Sequence, residues 1–158
     1  MKPTLILSIF LITLFSISCN SDKSSNVKYK KYISQDNAYE VDIPEHYDLQ
    51  RYLLSNMLFV KEPSVFLAIS ELENGESLQN YSKKLLNDDG FNYTLKEKTD
   101  TTCYYSVSKK NSILSSDAFF MSKKIDNHEY VIYLFSTSYS EKTIRGIIRH
   151  IHASLVAH

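Results

Sequence analysis

The sequence predicts an α+β fold, an antiparallel β-sheet packed against helices. Three observations carry this: short apolar runs of strand length, two stripes of apolar residues at helical spacing, and their order along the chain, strands, helix, strands, helix.

The first predicted strands are residues 32–34 and 39–43, separated by the turn-like Gln35-Asp36-Asn37. Tyr39-Glu40-Val41-Asp42-Ile43 alternates apolar with acidic, as a half-solvated strand does, and Pro44 ends it. Residues 45–56 fit a short helix or an irregular crossover equally well, because Leu49, Tyr52, Leu53 and Met57 keep helical spacing. Val65-Phe66-Leu67-Ala68-Ile69 is continuously apolar, which predicts a central strand. After Asn74-Gly75-Glu76-Ser77, the stripe Leu78, Tyr81, Leu85 and Leu86 predicts a helix over 77–87, closed by Asp88-Asp89-Gly90. Residues 91–97, 101–108, 115–124 and 129–137 then read as consecutive strands, with Asp126-Asn127-His128 as a hairpin turn. Ser138 to Glu141 has capping-box spacing, and Ile144, Ile147, Ile148, Ile151 and Leu155 form the stripe of a terminal helix.

The 158 residues suit one domain, and 43% apolar content with 12 Tyr and 8 Phe supplies a core without metals or disulfides. Charge is balanced, 18 basic against 18 acidic, so no global field gathers nucleic acid and none is expected as a partner. The short basic runs, Lys28 with Lys30 and Lys31, Lys83-Lys84, Lys109-Lys110 and Lys123-Lys124, read as solvated faces.

The first residues carry a different message. Lys2 precedes an apolar run from Leu5 to Ile17 that is too short to cross a bilayer comfortably, which predicts a secretory signal peptide over residues 1–18. In an oxidising compartment Cys19 could pair only with Cys103. However, Ser16-Ile17-Ser18-Cys19 resembles the lipobox of bacterial lipoproteins, in the loose form found among the Bacteroidota. That resemblance makes Cys19 the diacylglyceryl-bearing first residue of the mature chain, S-lipidated and N-acylated, for instance with palmitate. Two or three acyl chains, at about 0.8 kcal/mol per buried CH2, hold a domain on a membrane where one chain is marginal. Asn20 stands where an aspartate is associated with inner-membrane retention, so the resemblance implies the cell outer membrane, on its periplasmic or surface face. Residues 19–29 read as a polar tether and 30–156 as the folded domain.

Three features of that domain resemble the PsbP-like superfamily, which includes small bacterial lipoproteins related to DcrB. They are the turn Glu40-Val41-Asp42-Ile43-Pro44 after an opening strand, the short helix over 77–87, and the terminal amphipathic helix over 141–156. A Gly-Trp that commonly follows the proline is replaced by Glu45-His46-Tyr47. The resemblance implies a PsbP-like α/β/α sandwich.

Nothing in the sequence marks catalysis, a cofactor or a metal site. His150 and His152 point about 200° apart on a helix and cannot clamp one metal. His46 and His128 fall in predicted turns, touching water and little else, and His158 is terminal. Glu71 and Glu73 share a strand end that is expected to be wet, and Ser115-Ser116-Asp117 lacks a nucleophile elbow. Cys103, beside Tyr104 and Tyr105, reads as a buried inert thiol. The expected function is therefore a non-catalytic, membrane-anchored envelope lipoprotein that binds an envelope protein or a small ligand. Tyrosines around Tyr104-Tyr105 or Tyr130 and Tyr133 are the candidate contact residues. The alternative is an envelope hydrolase using Cys103.

Overall fold

A computed structural model describes residues 27–34, 38–47, 49–51, 58–60, 65–73, 75–87, 91–110 and 115–157. The signal-peptide, lipidation and tether expectations over residues 1–26 lie outside these residues, as do the turn Gln35-Asp36-Asn37 and the helix-closing Asp88-Asp89-Gly90.

Among the described residues ten strands and two helices follow in the order β1 (Tyr29–Ile33), β2 (Tyr39–Pro44), β3 (Leu49–Arg51), β4 (Leu58–Val60), β5 (Val65–Glu71), α1 (Leu78–Leu86), β6 (Phe91–Lys98), β7 (Thr102–Lys109), β8 (Ser115–Ile125), β9 (His128–Ser136), α2 (Glu141–Ser154) and β10 (Val156–Ala157). The fold is α+β, with antiparallel sheets packed against both helices. A five-stranded sheet runs β5-β9-β8-β7-β6, and a smaller one runs β1-β2-β10.

Strand alternation splits the large sheet into two apolar faces. Leu67 and Ile69, Ile132 and Leu134, Phe119 and Tyr104 point one way. There they meet Ile144, Ile147, Ile148 and Ile151 of α2 and the inner side of β2, Tyr39, Val41 and Ile43. Ala68, Val131, Tyr133, Phe120, Cys103, Tyr105 and Val107 point the other way, against Leu78 and Leu86 of α1. The large sheet is thus the middle of three layers.

Several sequence expectations change at this level. The run 65–69 forms β5, but among the described residues β5 pairs only with β9 and lies at one end of the five-stranded order. Its continuous apolarity reflects burial on both faces and not two strand neighbours. Within the ambiguous 45–56 segment, residues 49–51 pair antiparallel with 58–60 as a two-stranded sheet. Of the residues that keep helical spacing, Leu49 lies in β3, whereas Tyr52, Leu53 and Met57 lie outside the described residues.

Helix caps follow the local hydrogen bonds. Ser77 caps α1, its hydroxyl accepting from Asn80 N at 3.3 Å, after Gly75 turns the chain at φ 84°. The terminal helix starts two residues later than the spacing Ser138 to Glu141 implies. Ser136 Oγ accepts from the backbone N–H of Ser138 and Tyr139, at 3.1 and 3.0 Å, and holds that stretch in a turn. Ser140 is the cap, accepting from Thr143 N at 3.3 Å. The hairpin between β8 and β9 forms as expected, but its turn is Asp126-Asn127 alone: His128 opens β9 and pairs with Ile125, and Asp126 takes the left-handed φ of 54° that an Asx side chain tolerates.

Candidate functional site

The four tyrosines expected to meet a partner are all buried, so that expectation is corrected. Tyr104 stacks on Phe119 with centroids 4.2 Å apart, and Tyr133 stacks on Phe120 at 4.4 Å. Tyr130 packs edge-on to Tyr39, and the Tyr105 hydroxyl meets Ser82 Oγ at 2.9 Å. Sheet alternation sends both members of each pair inward because both faces of the sheet are covered.

Cys103 is fully buried and carries a free thiol. Burial raises its pKa, with hydrogen bonds to Ser82 and Tyr105 opposing, so little thiolate is present at neutral pH. This environment does not favour the hydrolase. Asp117, the acid of Ser115-Ser116-Asp117, accepts the Tyr104 hydroxyl at 2.7 Å. Among the described residues no group of three or more His, Cys, Asp or Glu side chains could hold a metal.

The histidines are more engaged than their positions suggest. His46 Nε2 lies 3.0 Å from Tyr139 Oη, and His152 Nε2 lies 3.0 Å from the Ser122 carbonyl. His150 stacks on Tyr29 at 3.6 Å, with Asp42 at 3.6 Å from Nε2. His128 Nδ1 contacts Glu71 Oε1 at 2.6 Å, whereas Glu73 lies beyond the end of β5. The turn positions are therefore partnered, because strand pairing brings β5 and β9 ends together.

The Glu71 hydrogen bond, then its charge, raises the His128 pKa above the ordinary 6.5. A raised pKa in the folded state means that this contact is fully present below the unfolded value and fades as pH rises through the folded one. An NMR titration of His128 should give a midpoint above that of a free imidazole, and Glu71→Gln should return it towards that value. Identical midpoints in the two proteins would show that the contact does not form.

Two surfaces stand out. The first lies along α2, where a cleft of about 700 Å³ is lined by Tyr29, Lys142, Arg145, Gly146, Arg149 and His150 among others. Its Arg145 and Glu141 charges answer each other. Arg145 reaches Glu97 at 2.9 Å and Glu141 at 2.8 Å, and its guanidinium carbon sits 4.8 Å from the Tyr104 and Phe119 ring centroids. The Arg145 hydrogen bond holds the Glu141 carboxyl below the usual range, and burial, then Asp117, keeps the Tyr104 phenol protonated. This cluster ties α2 to β6 and β7.

The second surface is β6, the outermost strand after β7, in which every residue is exposed. Phe91, Tyr93 and Leu95 stand on its α1 side at 40, 39 and 38% exposure. Their exposure has a geometric cause. A nine-residue helix rises about 13 Å and is about 10 Å wide, whereas five strands spaced about 4.8 Å span about 19 Å. Helix α1 covers the middle of that face. Its Tyr81 reaches Ser70 of β5 at 2.6 Å and its Gln79 reaches Lys98 of β6 at 2.5 Å, leaving the apolar trio bare. A depression of about 570 Å³ beside it is lined by Glu73, Glu76, Asn80, Lys83, Asn87 and Tyr93 among others. The sequence marked 91–97 as a strand, but its edge position depends on pairing order, which no local signal encodes.

No protein-family model matches the chain, and no curated protein sequence does either. Solved structures do. The Ran-binding protein Mog1p of Saccharomyces cerevisiae superposes with a TM-score of 0.57 at 7% identity, over 82% of this chain and 95% of that one. Cyanobacterial PsbP, CyanoP, from Synechocystis sp. PCC 6803 superposes with a TM-score of 0.52 at 11% identity, over 87% of this chain and 97% of that one. The chain shares the PsbP-like fold, and at these identities the likeness concerns the fold alone.

Proposed function

We propose that this chain is a non-catalytic envelope lipoprotein, anchored in the outer membrane through Cys19, whose PsbP-like domain binds a protein partner. The observation that supports partner binding is the exposed apolar trio Phe91, Tyr93 and Leu95 on a strand that, among the described residues, is paired along one edge only. One protein of similar fold is named for binding Ran, a partner-binding role of the same general kind. The leader pattern of residues 1–18 and the lipobox resemblance at Cys19 support the anchor, and Asn20 supports outer-membrane sorting. Among the described residues no helix is long and apolar enough to cross a membrane; in this reading the acyl chains are the attachment.

Mass spectrometry of the mature protein from cells tests the anchor. The expected N-terminus is Cys19 with a thioether-linked diacylglyceryl group and an amide-linked acyl chain. Cys19→Ser should move the protein from the membrane to the soluble fraction with an unchanged thermal unfolding midpoint. An unmodified Cys19, or cleavage at another residue, would overturn the lipoprotein assignment.

A further inference from the structure

Resting on the lipid-anchor reading, we infer that the solvent crest of α2 docks on the phosphate headgroups of an anionic membrane surface, which turns α1 and the far face of the sheet away from the bilayer. Length sets which side of the domain comes near. Val27 is eight residues from Cys19, a reach of at most about 29 Å, whereas a domain of this size is about 36 Å across. Val27 and Tyr29 line the cleft along α2, and Tyr29 stacks on His150. The chain thus enters the domain beside α2, and that side faces the anchor. Helix α1 packs on the opposite face of the five-stranded sheet.

The crest suits a flat, negatively charged surface. A helix turns about 100° per residue, so Lys142, Gly146, Arg149 and Ala153 stand within about 60° of one another, opposite the buried Ile144, Ile147, Ile148 and Ile151. All four are exposed. Two long cations alternate with two residues too small to keep a surface from them, along about 16 Å of helix. The crest carries no acid. It also carries no large apolar side chain, so it lacks the anchor on which a protein interface centres.

The acids on this side lie on the flanks of α2 and are answered there. Glu141 and Arg145 occupy one flank, where Arg145 also takes Glu97, and the Tyr104 hydroxyl donates to Asp117. On the other flank Asp42 lies 3.6 Å from His150, and Glu40 of the same strand pairs with Lys31. At the start of β1, Lys28 has Glu45 beside it, whose N–H donates to the Lys28 carbonyl at 2.8 Å. In the tether Asp22 is followed by Lys23. Among the described residues Lys142 and Arg149 make no ion pair. The side as a whole is close to neutral. Salt screens attraction beyond about 8 Å, so a bilayer responds to the two cations that stand out furthest.

The test couples the mature chain to a maleimide phospholipid in nanodiscs. Cys103 is fully buried, so Cys19 takes the lipid whatever its fate in cells. Discs of phosphatidylcholine alone are compared with discs containing about one-third phosphatidylglycerol, both doped with a lipid whose headgroup chelates gadolinium. In the anionic discs, NMR broadening of the amides of Tyr29, Gly146, Arg149 and His150 should exceed that of Gln79, Lys83 and Lys84 in α1 at least about threefold. The contrast should shrink in phosphatidylcholine alone, with added salt, and in the Lys142→Gln/Arg149→Gln double variant, whose changes fall on exposed side chains. Equal broadening on the two sides would overturn the docking and leave the anchor standing. So would a contrast of the same size in both kinds of disc or in the double variant, or association of neighbouring copies through this crest. An unmodified Cys19 in cells would overturn the anchor and, with it, this orientation.

Discussion

Phe120→Ala is expected to lower the unfolding free energy by about 3–5 kcal/mol, and Phe119→Ala by a similar amount. Each loss is comparable with the whole stability of a small domain, so leucine variants, costing about 1–2 kcal/mol, are the practical probes. The two rings are consecutive in β8 yet serve different layers. Phe119 is stacked on Tyr104, and the Arg145 guanidinium carbon sits 4.8 Å from both ring centroids, on the α2 side. Phe120 is stacked on Tyr133 at 4.4 Å and edge-on to Tyr105 at 5.9 Å on the α1 side. Energetic coupling follows shared partners and not sequence distance, so the double Leu variant should show additive losses to within about 0.5 kcal/mol. Urea unfolding of the two single variants and the double gives the comparison. Coupling above about 1 kcal/mol would show that the two apolar layers are not separate.

That separation also explains what the sequence could and could not reveal. Periodicity is a local signal, and wherever one element buries one face it was legible: the isoleucine stripe of α2, the alternation of β2 and the turn Asp126-Asn127 all appear as read. Features that depend on which strand lies beside which were not legible. Continuous apolarity in β5 signalled two covered faces, but said nothing of its place at the end of the sheet. The tyrosines at 104, 105, 130 and 133 looked suited to a surface because tyrosine is amphipathic. Their burial required a helix on one face and a helix with a second sheet on the other.

The exposed face of β6 inverts the same logic. Phe91, Tyr93 and Leu95 alternate with polar residues as core strands do, and nothing local distinguishes them from Tyr105 and Val107 in the adjacent strand. Only the size of α1 against the width of the sheet leaves one trio uncovered. The His128 contact with Glu71 shares this origin. Both groups were assigned to water from their neighbours in sequence, and strand pairing brought them together.

Lys123 gives the second large effect. The sequence reads Lys123-Lys124 as one solvated pair, but period two places them on opposite faces of β8, and Lys123 points at the end of α2. Its ammonium donates to three carbonyl oxygens there, His152 at 2.9 Å, Ala153 at 3.2 Å and Leu155 at 2.7 Å. These are carbonyls that a helix terminus leaves without intrahelical partners, at the negative end of its dipole. Lys123→Met keeps the aliphatic stem and removes the charge, so its cost isolates the latch. Bonds to a charged donor contribute about 1.5–3 kcal/mol each but share one ammonium, and the expected loss is about 2–4 kcal/mol. The loss should also be directional. Leu155 leads directly into β10, which completes the small sheet by pairing Val156 with Glu40. Hydrogen exchange should therefore accelerate first in residues 151–157 and in β2, before β7 and β8 respond. A loss below about 0.5 kcal/mol, or protection that falls evenly across the sheet, would show that α2 is held by its isoleucine stripe alone.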